Sequence, residues 1–157
     1  MNLYSWIKLL HILSATLLFG TGLGIAFFMF RAYLSDNREA MKVTTRNVVL
    51  ADWIFTTPAI IVQLGTGLWL TWQLGIPFGS AWFVAVLSLF IFVGICWIPV
   101  VRIQIHIRQI LKQGGDIADY RRLMRAWIAL GIPAFTSILI LFFLMVSKTG
   151  ANTIIFA

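Results

Sequence analysis

The chain has 157 residues, 61% of them hydrophobic and 11% charged, and its mean hydropathy is +0.94. A water-soluble domain of this size has too little interior to hide that much apolar surface, so the expected solvent is a lipid bilayer. The net charge of +7 is no nucleic-acid footprint, because of the 12 Lys and Arg all but Lys8 and Lys148 flank two segments, 31–46 and 102–125.

Uncharged windows locate the elements in chain order. Leu9 to Phe30 holds no titratable residue except His11, and predicts a first span over about 4–32. The stretch LSDNREAMKVTTRN then reads as a polar loop. Trp53 to Val101 carries no formal charge. As one helix it would run roughly 73 Å at 1.5 Å per residue, more than twice a hydrocarbon core of about 30 Å. It must fold back, and GIPFGS (Gly75–Ser80) is where Gly and Pro punctuate it. Spans over about 49–74 and 81–105 follow.

After the third span, VRIQIHIRQILKQGG alternates apolar and polar residues, so a strand is conceivable. A helix running on is the better reading, because Gly114 and Gly115 form a natural C-cap. Asp116 reads as the next N-cap, with Asp119 three residues on. IADYRRLMRAW then opens the last helix, with its span over about 126–147. The third and fourth helices thus project a few turns beyond the membrane. A faint echo, Trp followed by Pro-Ala in DWIFTTPA and AWIALGIPA, is compatible with a duplicated two-helix unit.

The expected fold is a single all-α transmembrane domain over 1–157, an antiparallel four-helix bundle. The positive-inside rule puts the basic first and third loops in the cytoplasm and both termini outward. Seven Trp and three Tyr suit aromatic anchoring at the headgroups. No cleavable signal peptide is expected, since no basic segment precedes the first span and no A-x-A site follows it. Cys96 is the only cysteine, so neither an intrachain disulfide nor a Cys-based metal cluster can form.

Polar residues inside a membrane are costly, and each one is a functional hypothesis. At 100° per residue, His11, Ala15, Leu18, Gly22, Ile25 and Met29 share one face of the first helix, with Lys8 at its edge. Lys-x-x-His sets a cation beside an imidazole, which suits an anionic, partly apolar ligand such as haem b, with His11 on the iron and Lys8 on a propionate. The bland alternative is a neutral imidazole bonded to a neighbouring helix. A second axial ligand near the outer leaflet would be Met145, water or nothing. His106 lies beyond the third span, too far away, and reads as solvated.

Gly20 and Gly24 form G-x-x-x-G on another face, a helix-packing pattern. Asp52 is the only acid within a span, and a structural ion pair with Arg31 is expected, Arg102 and Arg125 lying at similar depth. Thr57-Pro58 and Trp97-Ile98-Pro99 predict helix kinks. Enzyme motifs are absent: there is no phosphate-binding glycine loop, HExxH, Cys pair or Ser/His/acid set, and enzymatic activity is left open.

With YSWIKLLHILSATLLFGTGLGIAFFMFRA, ADWIFTTPAIIVQLGTGLWL and GICWIPVVRIQ in view, the chain is identified as a member of an uncharacterised bacterial family of predicted four-span integral membrane proteins. That resemblance implies a multi-pass protein of the bacterial cytoplasmic (inner) membrane, without an assigned activity. More distantly, the chain resembles the HemJ-type protoporphyrinogen oxidase, a small four-span, haem-binding membrane protein. The match rests on Lys8 and His11, on Pro58-Ala59 with Gly67-Leu68, and approximately on Arg125 with Pro133. The departures lie in spans three and four, at the residues after Trp82, at Cys96-Trp97 and at Gly131-Ile132. The resemblance therefore implies a haem or porphyrin pocket at His11 more than the oxidation itself.

Three functional classes follow. The first is a haem- or porphyrin-binding, redox-linked membrane protein. The second is a structural or accessory subunit docking a membrane partner, and the third is a minimal transporter or channel, needing a homodimer, with Asp52 and His11 as polar stations.

Overall fold

The structure, a computed structural model, describes residues 2–147. Four long helical rods account for it, each long and apolar enough to cross a membrane. Helix α1 (Leu3–Leu34) starts at Asn2, whose side chain accepts from the Ser5 N–H at 3.0 Å. A three-residue turn, 35–37, leads directly into α2 (Arg38–Ala51).

The first loop is therefore much shorter than its polarity suggests. Asn37 caps α2 by accepting from the Ala40 N–H at 3.1 Å. Met41, Thr45, Val48 and Val49 then recur at helical spacing and are buried. The polar residues between them, Lys42, Arg46 and Asn47, occupy the exposed face.

Helix α2 passes without a break through a π turn (Asp52–Thr56) into α3 (Thr57–Gln73), giving one rod over Arg38–Gln73. The π turn has a local cause. Pro58 has no N–H to offer the preceding turn, and the Thr57 N–H reaches back to the Asp52 carbonyl instead. The Thr57 hydroxyl donates to the same carbonyl at 2.9 Å.

The fold-back falls at 74–80, with Gly75 at φ +67°. The Ser80 side chain accepts from the Phe83 N–H at 3.3 Å and starts α4 (Ala81–Gln113). Helix α4 runs through Pro99 and ends at Gly114, φ +77°, in the left-handed region that glycine favours. The alternating stretch after Val101 is thus helical, with Gln104, Ile107 and Leu111 buried and His106 exposed. Asp116 accepts from the Ala118 N–H at 3.0 Å at the start of α5 (Ile117–Ser147).

At the end carrying the turns 35–37 and 114–116, α1, α2, α4 and α5 close around one core. Ile25, Met29, Met41, Ile107, Tyr120 and Met124 are its centre. Arg121 pairs with Asp36 at 3.0 Å, and Arg38 donates to the Gly115 carbonyl at 2.6 Å, so the two turns are clasped together. We call this the basic end.

Towards the other end the rods separate into two pairs. Helix α1 keeps to α3 and α4 keeps to α5. Trp82 at the start of α4 donates to the Leu144 carbonyl near the end of α5 at 2.9 Å. Phe19 of α1 bridges the pairs, with its ring 5.4 Å from both Phe135 and Phe142. No comparable contact joins α3 to α4, and the space between the pairs is a cavity of about 1050 Å³.

The outward faces are apolar: Ile61 is 69% exposed and Val146 86%. In water such a surface would aggregate; in a bilayer it is solvated. Hydroxyls along the rods, those of Thr71, Thr136 and Ser137 among them, bond back to carbonyls four residues earlier and need no water.

Candidate functional site

The cavity gathers much of the face predicted for α1. Lys8, His11, Ala15, Leu18, Gly22 and Ile25 all line it, and so does Met145 from α5. Met29 lies below it, in the core. The volume is at the top of the roughly 300–1,000 Å³ range of small-molecule and cofactor sites, and the lining is overwhelmingly apolar.

His11 is held at both ring nitrogens by α3. Its Nδ1 lies 2.9 Å from Thr66 Oγ1, and its Nε2 lies 3.1 Å from Gln63 Nε2. The Thr66 hydroxyl has one proton, and its contact with the Val62 carbonyl is 2.6 Å, the length of a well-made O–H···O bond. With that proton spent on Val62, Thr66 accepts from His11 Nδ1–H. The lone pair is then on Nε2, where the Gln63 amide donates to it. Gln63 is oriented in turn by the Ser14 hydroxyl, which donates to its Oε1 and also lies 3.0 Å from the His11 carbonyl. The network thus selects one tautomer.

Gly67 completes the seat. A Cβ at this position would stand 3.2 Å from His11 Cε1, so the imidazole lies against the α3 backbone. Gly20 and Gly24, expected to pack a helix through G-x-x-x-G, meet nothing: a Cβ on either would find no atom within 4 Å. The close approach between α1 and α3 is made at Gly67, on the His11 face.

Lys8 is exposed at the rim, with Nζ 6.0 Å from the centroid of the Tyr4 ring.

Asp52 does not pair with Arg31. Asp52 is 4% exposed and faces inward from the π turn, whereas Arg31 is on the exposed side of α1. Arg102 and Arg125 are exposed as well, and neither forms an ion pair with it among the described residues. What faces the Asp52 carboxyl instead is neutral: Thr56, Trp97 and Gln104. They lie around the carboxyl at the margin of hydrogen-bond geometry. Asp52 Oδ2, Thr56 Oγ1, Trp97 Nε1, Gln104 Oε1 and Trp127 Nε1 are all buried without a partner. These residues line the end of the cavity nearest the core.

The site therefore has two poles, His11 with Gln63 and Thr66, and Asp52 with its neutral neighbours. Gln63 follows Asp52 by three turns of the same rod, a separation of roughly 16 Å. Sequence reasoning found His11, Lys8, Met145 and Asp52 but missed Gln63, Thr66, Ser14 and Gln104. The available signal was the pair Gln63 and Thr66, polar residues one turn apart in an otherwise apolar window.

Residues 5–149 match a family described as "Predicted integral membrane protein (DUF2269)", and the chain belongs to that family. No curated protein and no solved structure matches it.

Proposed function

We propose that this member of the DUF2269 family binds a haem or a related flat porphyrin in the cavity between its helix pairs, with His11 Nε2 as the axial ligand. The observation that carries this reading is the His11 tautomer. Thr66 accepts from Nδ1–H and so leaves the lone pair on Nε2, the arrangement that histidine ligands of metals adopt when a hydrogen bond orients the ring. The partner at Nε2 is a neutral amide on a flexible side chain, which a stronger Lewis acid displaces by a rotation of Gln63.

The remaining residues fit the same group. Among the described residues no three His, Cys, Asp or Glu side chains converge, which favours a metal that brings ligands of its own, as an iron in a porphyrin does. The apolar cavity would take the macrocycle, Lys8 at the rim would pair with a propionate, and Met145, which lines the cavity from the opposite pair, would offer its thioether as a second ligand. A bound haem would supply one-electron redox chemistry; the protein would orient it and keep water from it. The membrane in this reading is a bacterial cytoplasmic membrane, with the basic end inside.

The test is the absorption spectrum of the protein purified in mild detergent from haem-replete cells. A Soret band at stoichiometric intensity is expected. A colourless protein that stays colourless with added haem would refute the assignment.

A further inference from the structure

The unpartnered polar atoms near the core serve no part of the His11 network. Three are oxygens, Asp52 Oδ2, Thr56 Oγ1 and Gln104 Oε1, and two are N–H donors, Trp97 Nε1 and Trp127 Nε1. Leaving a buried polar atom unbonded costs roughly 1–3 kcal/mol, and four of the five belong to Asp52 and the Thr56, Trp97 and Gln104 side chains that face it, which favours something that bridges them. A metal cation would satisfy the oxygens but be repelled by both indole N–H groups. Water satisfies all five, because one molecule can accept from an indole and donate to an oxygen.

There is room for it, and a way in. Asp52 and Trp97 also line a second pocket of about 200 Å³, together with Val101 and Arg102. That is several times the roughly 30 Å³ a water occupies in the liquid. Arg102 is exposed towards the basic end. Asp52 and Trp97 are thus the wall shared by the small pocket and the large apolar cavity.

The charges around Asp52 are few. Helix α4 brings one charged side chain to either pocket, Arg102, and among the described residues it makes no ion pair. Helix α1 brings Tyr4, Lys8 and His11, all at the far end of the large cavity. Helices α3 and α5 bring no titratable group to either pocket, and Lys42 and Arg46 of α2 are exposed. A buried carboxylate that faces neutral groups and no cation is costly, and neutralising it by a proton removes the cost.

We propose that Asp52 is a proton-binding site, loaded from water in the Arg102 pocket, with Trp97 beside it in the wall that this pocket shares with the main cavity. Uptake takes H⁺ from hydronium, leaving a water molecule and a neutral carboxyl group; release reverses the step. The π turn is what aims the group, since it sets Asp52 inward just before Pro58. The site does not depend on what His11 binds.

The test is infrared spectroscopy of the full chain in lipid nanodiscs. Asp52 is the one buried acid among the described residues, and a protonated-carboxyl stretch is assigned to it by its loss in Asp52→Asn. We expect that band in the wild type, shifting in D₂O, declining as pH is raised, and absent in Asp52→Asn. Asp52→Glu, which keeps a carboxyl group, should move the band and secures the assignment if the Asn variant does not fold. Val101→Phe, which fills the small pocket, should slow the D₂O shift severalfold. The proposal is overturned by a wild type without the band at any pH, by a band that does not exchange, by one unchanged in both Asp52 variants, or by wild-type exchange in Val101→Phe.

Discussion

Thr66 and His11 are joined by a hydrogen bond of 2.9 Å whose direction is set by a third group, because the Thr66 proton is committed to the Val62 carbonyl. A threonine on α3 thereby decides which nitrogen of a histidine on α1 carries the lone pair. Thr66→Val removes the acceptor while keeping the shape. The imidazole is then free to turn, and haem affinity should fall by roughly 10–100-fold, the usual cost of losing such an orienting partner. Thr66→Ser should retain most of it. Haem titrations of the two variants check this, and equal affinity in Thr66→Val would remove the orienting role.

Gln63 is predicted to act in the opposite direction. It competes for Nε2, so Gln63→Leu should bind haem at least as tightly as the wild type. The same change leaves the Ser14 hydroxyl with the His11 carbonyl as its acceptor, which limits the cost to the fold. Loss of binding in Gln63→Leu would mean that the amide holds the ligand and does not merely cap the imidazole.

Gly67→Ala tests the seat of the imidazole. The added methyl would stand 3.2 Å from His11 Cε1, and His11 cannot easily give way while both its nitrogens are held. Overpacking of this kind costs about 1–3 kcal/mol. Thermal unfolding in detergent should drop, and haem binding should weaken with it. Gly20→Ala and Gly24→Ala, which meet open space, should leave both unchanged.

The extent of the fold legible in sequence follows from the kind of signal each part left. Four spans could be read because a charge-free stretch such as Trp53–Val101 has no alternative to folding back at Gly75–Ser80. Helix α2 was hidden because its buried residues, Met41, Thr45, Val48 and Val49, are interleaved with enough charge to look like a loop. The expected pair Asp52–Arg31 failed for a rotational reason: similar depth brings two side chains together only when they face each other, and the π turn points Asp52 inward. His11 and Lys8 stood out as polar residues in an apolar run. Thr66 did not, since hydroxyls in membrane helices commonly bond back to their own backbone, and Gln63 did not, since an uncharged amide stands out less than a titratable group.

The basic end should carry more stability than its charges do. Tyr120 and Met124 are 1% and 0% exposed in the core joining α1, α2, α4 and α5. Met124→Ala should cost about 2–5 kcal/mol. Arg121→Ala breaks the exposed pair with Asp36 and should cost about 1 kcal/mol or less. Denaturation of both variants in one detergent settles the ranking, and a larger loss in Arg121→Ala would contradict it.

Lys8 is expected to select for a carboxylate without being essential. Lys8→Met should weaken binding of haem severalfold, as an exposed ion pair worth about 1 kcal/mol or less would. It should leave binding of haem dimethyl ester unchanged. An equal loss for both ligands would show that the lysine acts by packing.

The most direct measurement is a haem titration of ligand-free protein, wild type and His11→Ala, followed in the Soret region with reduced and oxidised iron. Saturable one-to-one binding with a histidine-ligated spectrum in the wild type, lost in a His11→Ala variant that still elutes as a folded species, is the predicted result. Identical spectra and affinities for the two proteins would contradict the account.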